Sequence, residues 1–196
     1  MDYFNINSNK GNTIKGPLII KPKVFLDNRG YFFESWNHSE FNKLISREVN
    51  FVQDNHSKSK FGVLRGLHYQ LDPKAQGKLV RCSQGEVFDV LVDIRKNSDT
   101  YGEWSGVVLN ENNKIQFWIP EGFAHGFISL KEFSEVQYKT NEYWDKDYER
   151  SLFWKDSDLN INWPLSYINE ECKIITNLKD SIAPTLKEIE ESGDIF

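Results

Sequence analysis

The 196-residue sequence predicts a mainly β domain, a sandwich or small barrel with a few short helices near its two ends. Three observations carry this. Short runs rich in Val, Ile, Phe, Tyr and Trp recur from about residue 50 to 154. Turn-forming residues separate them at the spacing of roughly 8–12 residues that all-β domains show. Aromatic residues make up 14% of the chain, an excess that favours strands and leaves rings to line a pocket.

The elements follow in order. Residues 1–15 read as a polar lead-in. Pro17 to Phe25 (PLIIKPKVF) reads as short extended pieces, Asp27-Asn28-Arg29-Gly30 as a turn and Tyr31 to Trp36 as a strand. Over 38–49 the apolar residues Phe41, Leu44, Ile45 and Val49 keep a helical spacing. Lys78 to Cys82 is strand-like, Ser83-Gln84-Gly85 is a turn, and Val87 to Ile94 is a strong strand with apolar residues on both faces. Strands follow at Trp104 to Leu109, Ile115 to Ile119, Phe127 to Leu130 and Val136 to Thr140. Residues 165–196 form a polar C-terminal extension with a short helix within 178–192 (LKDSIAPTLKEIEES). No repeat, low-complexity tract or linker divides the chain, so 1–196 is read as a single domain.

The net charge of −5, the sequence pI of about 5.5 and the lack of a basic run argue against a nucleic-acid partner. An anionic small molecule stays open, because a few cations can gather in one pocket. Cys82 and Cys172 are too few for a disulfide framework and form no CxxC pair, which reads as a reduced, cytoplasmic setting. The first ten residues lack a signal-peptide core, and no apolar run approaches the ~18 residues of a membrane helix.

Four histidines are present. His38 lies in the helical stretch and reads as a solvated side chain. His125 lies in Ile119-Pro120-Glu121-Gly122-Phe123-Ala124-His125. Pro-x-Gly-x-x-His after a strand resembles the second motif of the cupin group, which implies a jelly roll or double-stranded β-helix. Many cupins hold a metal with this histidine, an earlier His-x-His and a Glu. The earlier site here reads His68-Tyr69-Gln70. That ligand set falls short of what a transition metal requires, so no metal is expected. On the residues alone, His125 reads either as a barrel histidine with a satisfied hydrogen bond or as a donor to substrate. His68, taken alone, reads as a satisfied core or barrel histidine at least as readily as a catalyst.

Longer segments narrow the choice. Lys21 to Phe25, Asp27 to Ser35, Phe51 to Ser59, Leu64 to Gln70, Gln76 to Cys82, Gly85 to Val90, Val92 to Arg95, 118–127, Tyr138-Lys139 and Tyr143-Trp144 together resemble the dTDP-4-dehydrorhamnose 3,5-epimerase family. The resemblance covers most of the chain. It implies a dTDP-linked 4-keto-6-deoxy sugar as substrate, epimerisation at C3 and C5 in the making of dTDP-L-rhamnose for surface polysaccharide, and no cofactor.

Carbons 3 and 5 flank the ketone, so their protons are acidic. Inversion needs a base on one face, an acid on the other, and a positive or hydrogen-bonding group at the enolate oxygen. The resemblance assigns His68 as the base. An imidazole is suited to this by its unperturbed pKa of about 6.5. Asp180, in the pair Lys179-Asp180, is implied as its carboxylate partner; capping a helix that begins at 181 is the alternative. Tyr138 is implied as the acid, against the plain reading of one more aromatic on a strand. Lys78 is implied beside the ketone, against that of a solvated surface lysine. For the nucleotide and sugar, the resemblance points to Arg29, Glu34, Gln53, Asp54, Asn55, Arg65, His125, Glu149 and Lys179, with Trp144 stacked on the thymine. It also implies a homodimer in which N-terminal strands exchange and Arg29 reaches the neighbour's pocket. Three other readings stay open: a C3-only or other-nucleotide epimerase, a non-catalytic sugar-binding jelly roll, and a metal-dependent cupin.

Overall fold

A computed structural model describes residues 2–165 and 173–196. Cys172 lies outside the described residues, as does part of the predicted C-terminal extension. Among the described residues, thirteen strands and three helices follow one another as β1 (Asp2–Asn7), β2 (Thr13–Lys21), β3 (Val24–Asp27), β4 (Gly30–Phe33), α1 (His38–Ile45), β5 (Gln53–Lys60), β6 (Leu64–Gln70), β7 (Lys78–Gln84) and β8 (Glu86–Asp93). They continue as β9 (Trp104–Asn110), β10 (Gln116–Ile119), β11 (Phe123–Ser129), β12 (Phe133–Thr140), β13 (Glu149–Ser151), α2 (Leu178–Ser181) and α3 (Leu186–Ser192).

The strands make the jelly roll the cupin-like motif implies. One six-stranded sheet runs β1-β2-β10-β7-β12-β5 and a five-stranded sheet runs β13-β6-β11-β8-β9. Between them lie Val80, Val87, Leu91, Phe117, Phe127 and Val136, all buried. The outer face of the five-stranded sheet is covered as well. Val90, Val92, Ala124 and Ile128 pack there against Leu152, Leu159, Trp163 and Ile189 of the C-terminal part. A strand covered on both faces gains by being apolar on both, which explains Val87 to Ile94. On the six-stranded sheet, α1 lays Phe41 over Leu79 and Trp118.

Three expectations need correction. Residues 1–15 are no lead-in. β1 pairs antiparallel with β2, Tyr3 opposite Ile20. β1 is a sheet edge whose side chains are exposed apart from Ile6, so its residues carry no burial pattern to read. The helix expected over 38–49 ends at Ile45, where Ser46 turns left-handed at φ 53°. The helix expected within 178–192 is two helices. Pro184 lies between them, Asn177 caps α2, and Thr185 with Glu188 forms a capping box for α3. β5 (QDNHSKSK) has no apolar alternation by which its sequence could be placed. Asp54, His56 and Lys58 are exposed, and the alternate positions Gln53, Asn55 and Ser57 are polar too.

Candidate active site

The two sheets bring the chemistry together on their inner faces. His68 stands on β6, opposite His125 of β11. Its Nε2–H donates to Asp180 Oδ1 at 2.6 Å. Asp180 is only 1% exposed, and its second oxygen accepts the Gly66 backbone N–H at 3.1 Å. Asp180 caps nothing: Asn177 Oδ1 accepts the Asp180 N–H at 2.7 Å and does the capping. Burial pushes the Asp180 carboxyl up, but the hydrogen bond and charge of His68 and the Gly66 N–H outweigh it, and the net shift is downward. An ionised carboxylate only accepts, so it holds the neutral ring with its proton on Nε2. The lone pair is left on Nδ1, and the ring is partly open.

Lys78 begins β7 and is no surface lysine. It is buried, and its Nζ donates to the His68 carbonyl at 3.0 Å. Burial pulls its pKa down to about 8, against the opposing pull of Asp89 and Glu149. His125 is also buried, and its Nε2 donates to Asp89 Oδ1 at 2.9 Å. Burial lowers its pKa despite that partner. Asp89 Oδ2 has no hydrogen-bond partner, although the carboxylate is fully buried. A lone carboxylate there would be costly, and the nearby charge of Lys78 offsets it.

Tyr138 stands on β12 of the facing sheet, beside Asn55 of β5 and Val80 of β7. Burial raises its pKa, with Arg65 pulling down and Glu149 pushing up. The phenol therefore stays protonated, as an acid must. Glu149 pairs with Lys179 at 2.6 Å, which ties β13 to the helix that carries Asp180. Arg65 Nε donates to Ser59 Oγ at 3.0 Å. Gln53 Nε2 donates to Asn55 Oδ1 at 2.9 Å, and Gln53 Oε1 accepts the Trp144 N–H at 3.0 Å.

Three predicted residues are not in this group. Arg29 sits at the β3–β4 turn, where it pairs with Asp27 at 2.6 Å in the exposed hairpin. Glu34 accepts from the side chain of Asn37. Asp54 points outward from β5 and pairs with Lys139. It lines a cavity of about 430 Å³ with Ser35, His56, Arg81 and Gln137, which Asn55 and Tyr138 also border. Asp89 is the residue that sequence reasoning missed. A charge inside Val87-Phe88-Asp89-Val90-Leu91 was the available signal, since a buried carboxylate in an apolar strand requires a partner. Among the described residues no three His, Cys, Asp or Glu side chains cluster as metal ligands. The Gln70 amide, at the position where cupins place a second histidine, is engaged by backbone groups instead.

The comparisons point the same way. The family model described as dTDP-4-dehydrorhamnose 3,5-epimerase matches residues 12–188. A dTDP-4-dehydrorhamnose 3,5-epimerase from Salmonella typhimurium is 56% identical over 171 residues, 87% of this chain and 91% of the relative. The crystal structure of a dTDP-6-deoxy-D-glucose-3,5-epimerase from Legionella pneumophila, in complex with dTDP-4-keto-L-rhamnose, superposes with a TM-score of 0.88 at 43% identity. It covers 99% of this chain and 97% of that one. An epimerase from Mycobacterium tuberculosis superposes with a TM-score of 0.91 at 32% identity, over 100% and 93% of the two chains.

Proposed function

The chain belongs to the dTDP-4-dehydrorhamnose 3,5-epimerase family, and from that premise we infer how its own residues invert C3 and C5 of dTDP-4-dehydro-6-deoxy-D-glucose to give dTDP-4-dehydro-L-rhamnose. It is an isomerase. The observation that carries the mechanism is the placement of His68, held by buried Asp180, on one sheet and Tyr138 on the sheet that faces it. His68 Nδ1 takes the proton beside the ketone, and Asp180 stabilises the imidazolium that forms. Lys78 stabilises the negative enolate oxygen. Tyr138 returns a proton to the opposite face. Arg65, Lys179 and Glu149 hold the sugar nucleotide, and Trp144 stacks on the base. Each proton removed is replaced from solvent, so turnover in heavy water is expected to place deuterium at both C3 and C5. Product with neither position labelled would sink the mechanism, and label at C3 alone would reduce the reaction to a single inversion.

The charge of Lys78 sets the alkaline limit. Its ammonium form predominates below pH 8 and is lost as pH rises through about 8. The pH profile of kcat/KM is expected to fall there. In Lys78→Arg the maximum should be lower, but the fall should move beyond about pH 10, because guanidinium stays charged. An unmoved alkaline limb would assign it to another group.

The working unit in this reading is a homodimer. The β3–β4 hairpin stands apart from both sheets and displays Leu26 and Phe32, 80% and 70% exposed, with Phe25 and Tyr31 beside them. An apolar arm of that kind is unfavourable in water and suits a second copy. It would carry Arg29 and Glu34 to the partner's site. Sedimentation should give twice the 23.0 kDa chain mass. Phe32→Asp should give monomers with activity reduced at least about tenfold, in proportion to the lost apolar contact; a fully active monomer would refute the exchange. No helix among the described residues is long and apolar enough to cross a membrane. The free Cys82 thiol supports work in the reducing cytoplasm, where the enzyme would fractionate with soluble protein.

A further inference from the structure

Trp144 is 54% exposed, yet the Tyr143 carbonyl and the N–H groups of Trp144 and Asp145 are all hydrogen-bonded. Gln70, two residues beyond His68 on β6, is 2% exposed. Its amide nitrogen donates to the Tyr143 carbonyl at 3.2 Å and to the Lys74 carbonyl at 2.6 Å. Its amide oxygen accepts the Asp145 N–H at 2.8 Å. One buried side chain therefore holds the peptide groups on both sides of Trp144. Gln53 accepts the Trp144 N–H itself at 3.0 Å, from the other sheet. Two residues before Trp144, the Glu142 carbonyl accepts from Gln76 Nε2 at 2.8 Å and from Thr140 Oγ1 at 2.9 Å.

We propose that Gln70 is a positioning residue for nucleotide affinity: it fixes the loop 142–145 before substrate arrives, so that the Trp144 indole stands ready as a stacking platform. This rests on the reading above in which Trp144 takes the base. A ring presented on an ordered backbone spares the entropy of ordering the loop at binding. An amide suits the task because it donates and accepts at once and stays neutral. Leucine at position 70 would fill the volume and release the Tyr143 carbonyl and the Asp145 N–H together.

The test measures dTDP binding by calorimetry for wild type, Gln70→Leu, Trp144→Ala and the double variant. Trp144→Ala is expected to raise Kd roughly tenfold, the usual scale of one base–aromatic stack. Gln70→Leu should raise Kd about fivefold, with KM for the sugar nucleotide rising in step and kcat changing less than about twofold. The double variant should bind no worse than Trp144→Ala by more than about twofold, because both changes remove the same platform. Losses that multiply in the double variant, or a Gln70→Leu protein that loses kcat but binds dTDP normally, overturn the proposal. Normal binding by Trp144→Ala overturns the stacking role first and the proposal with it. Hydrogen exchange on the ligand-free wild type needs no variant to fold. The amides of Trp144 and Asp145 should already be protected, and protection that arises only after dTDP is added overturns the preset loop.

Discussion

His68→Asn is expected to lower kcat by at least about a thousandfold, within the range that one positioned acid–base group supplies, while dTDP binds within about twofold of wild type. The tautomer of His68 is the reason. Asp180, buried and held ionised by His68 and Gly66, fixes the ring with Nε2–H toward itself. Only Nδ1 is then free to take a proton. Asparagine can keep a hydrogen bond to Asp180 but has no basic nitrogen. Neither C3 nor C5 can be deprotonated from that wall, so the loss falls on both centres. Binding is spared because the nucleotide contacts assigned to Arg65, Lys179 and Trp144 lie on other side chains. Single-turnover assays with the 4-keto sugar nucleotide, alongside calorimetry with dTDP, would check this. Retention of more than about a tenth of wild-type kcat would remove His68 from the role of base. A wild-type protein that binds dTDP without any turnover would return the chain to the non-catalytic sugar-binding reading.

How far the sequence could be read depended on which face each residue shows. Val87 to Ile94 was legible because both of its faces are covered, so every side chain on it answers to burial. β5 was invisible to the same logic. It closes one edge of the six-stranded sheet, and the residues beside Tyr138 and Arg65, Asn55 and Ser59, are polar, so no apolar alternation marks it. β1 was lost for a simpler reason, since an exposed edge strand has no pattern to keep. Within the site, Lys78 looked like any lysine, and only the fold shows it buried under the His68 carbonyl. Asp180 was reached through the resemblance alone, because 112 residues separate it from His68 and no local pattern links them. Asp89 went unread, although a carboxylate amid Val87, Phe88, Val90 and Leu91 asks for a partner and finds one in His125. Arg29, Glu34 and Asp54 lie apart from the group in a single chain, the result expected if the first two act on a neighbour.

Tyr138→Phe separates the two halves of each inversion. The phenol stands on β12 and the imidazole on β6, on opposite walls, and burial keeps the phenol protonated. Phenylalanine preserves the ring and its packing against Val80 and Val136 while removing the one proton it can give. His68 can still form the enolate in the variant. With no donor on the far wall, the proton comes back from the side it left, carried by a ring open enough to exchange with solvent. In heavy water the substrate should therefore gain deuterium without changing configuration, while formation of inverted product falls about a hundredfold to a thousandfold, the scale of one lost general acid. Mass spectrometry of recovered substrate and chromatography of the product report the two outcomes separately. Inversion near the wild-type rate would mean that another group or a water delivers the second proton. Loss of exchange along with inversion would place the phenol at the enolate-forming step, where its O–H and the Lys78 ammonium would then share the developing charge.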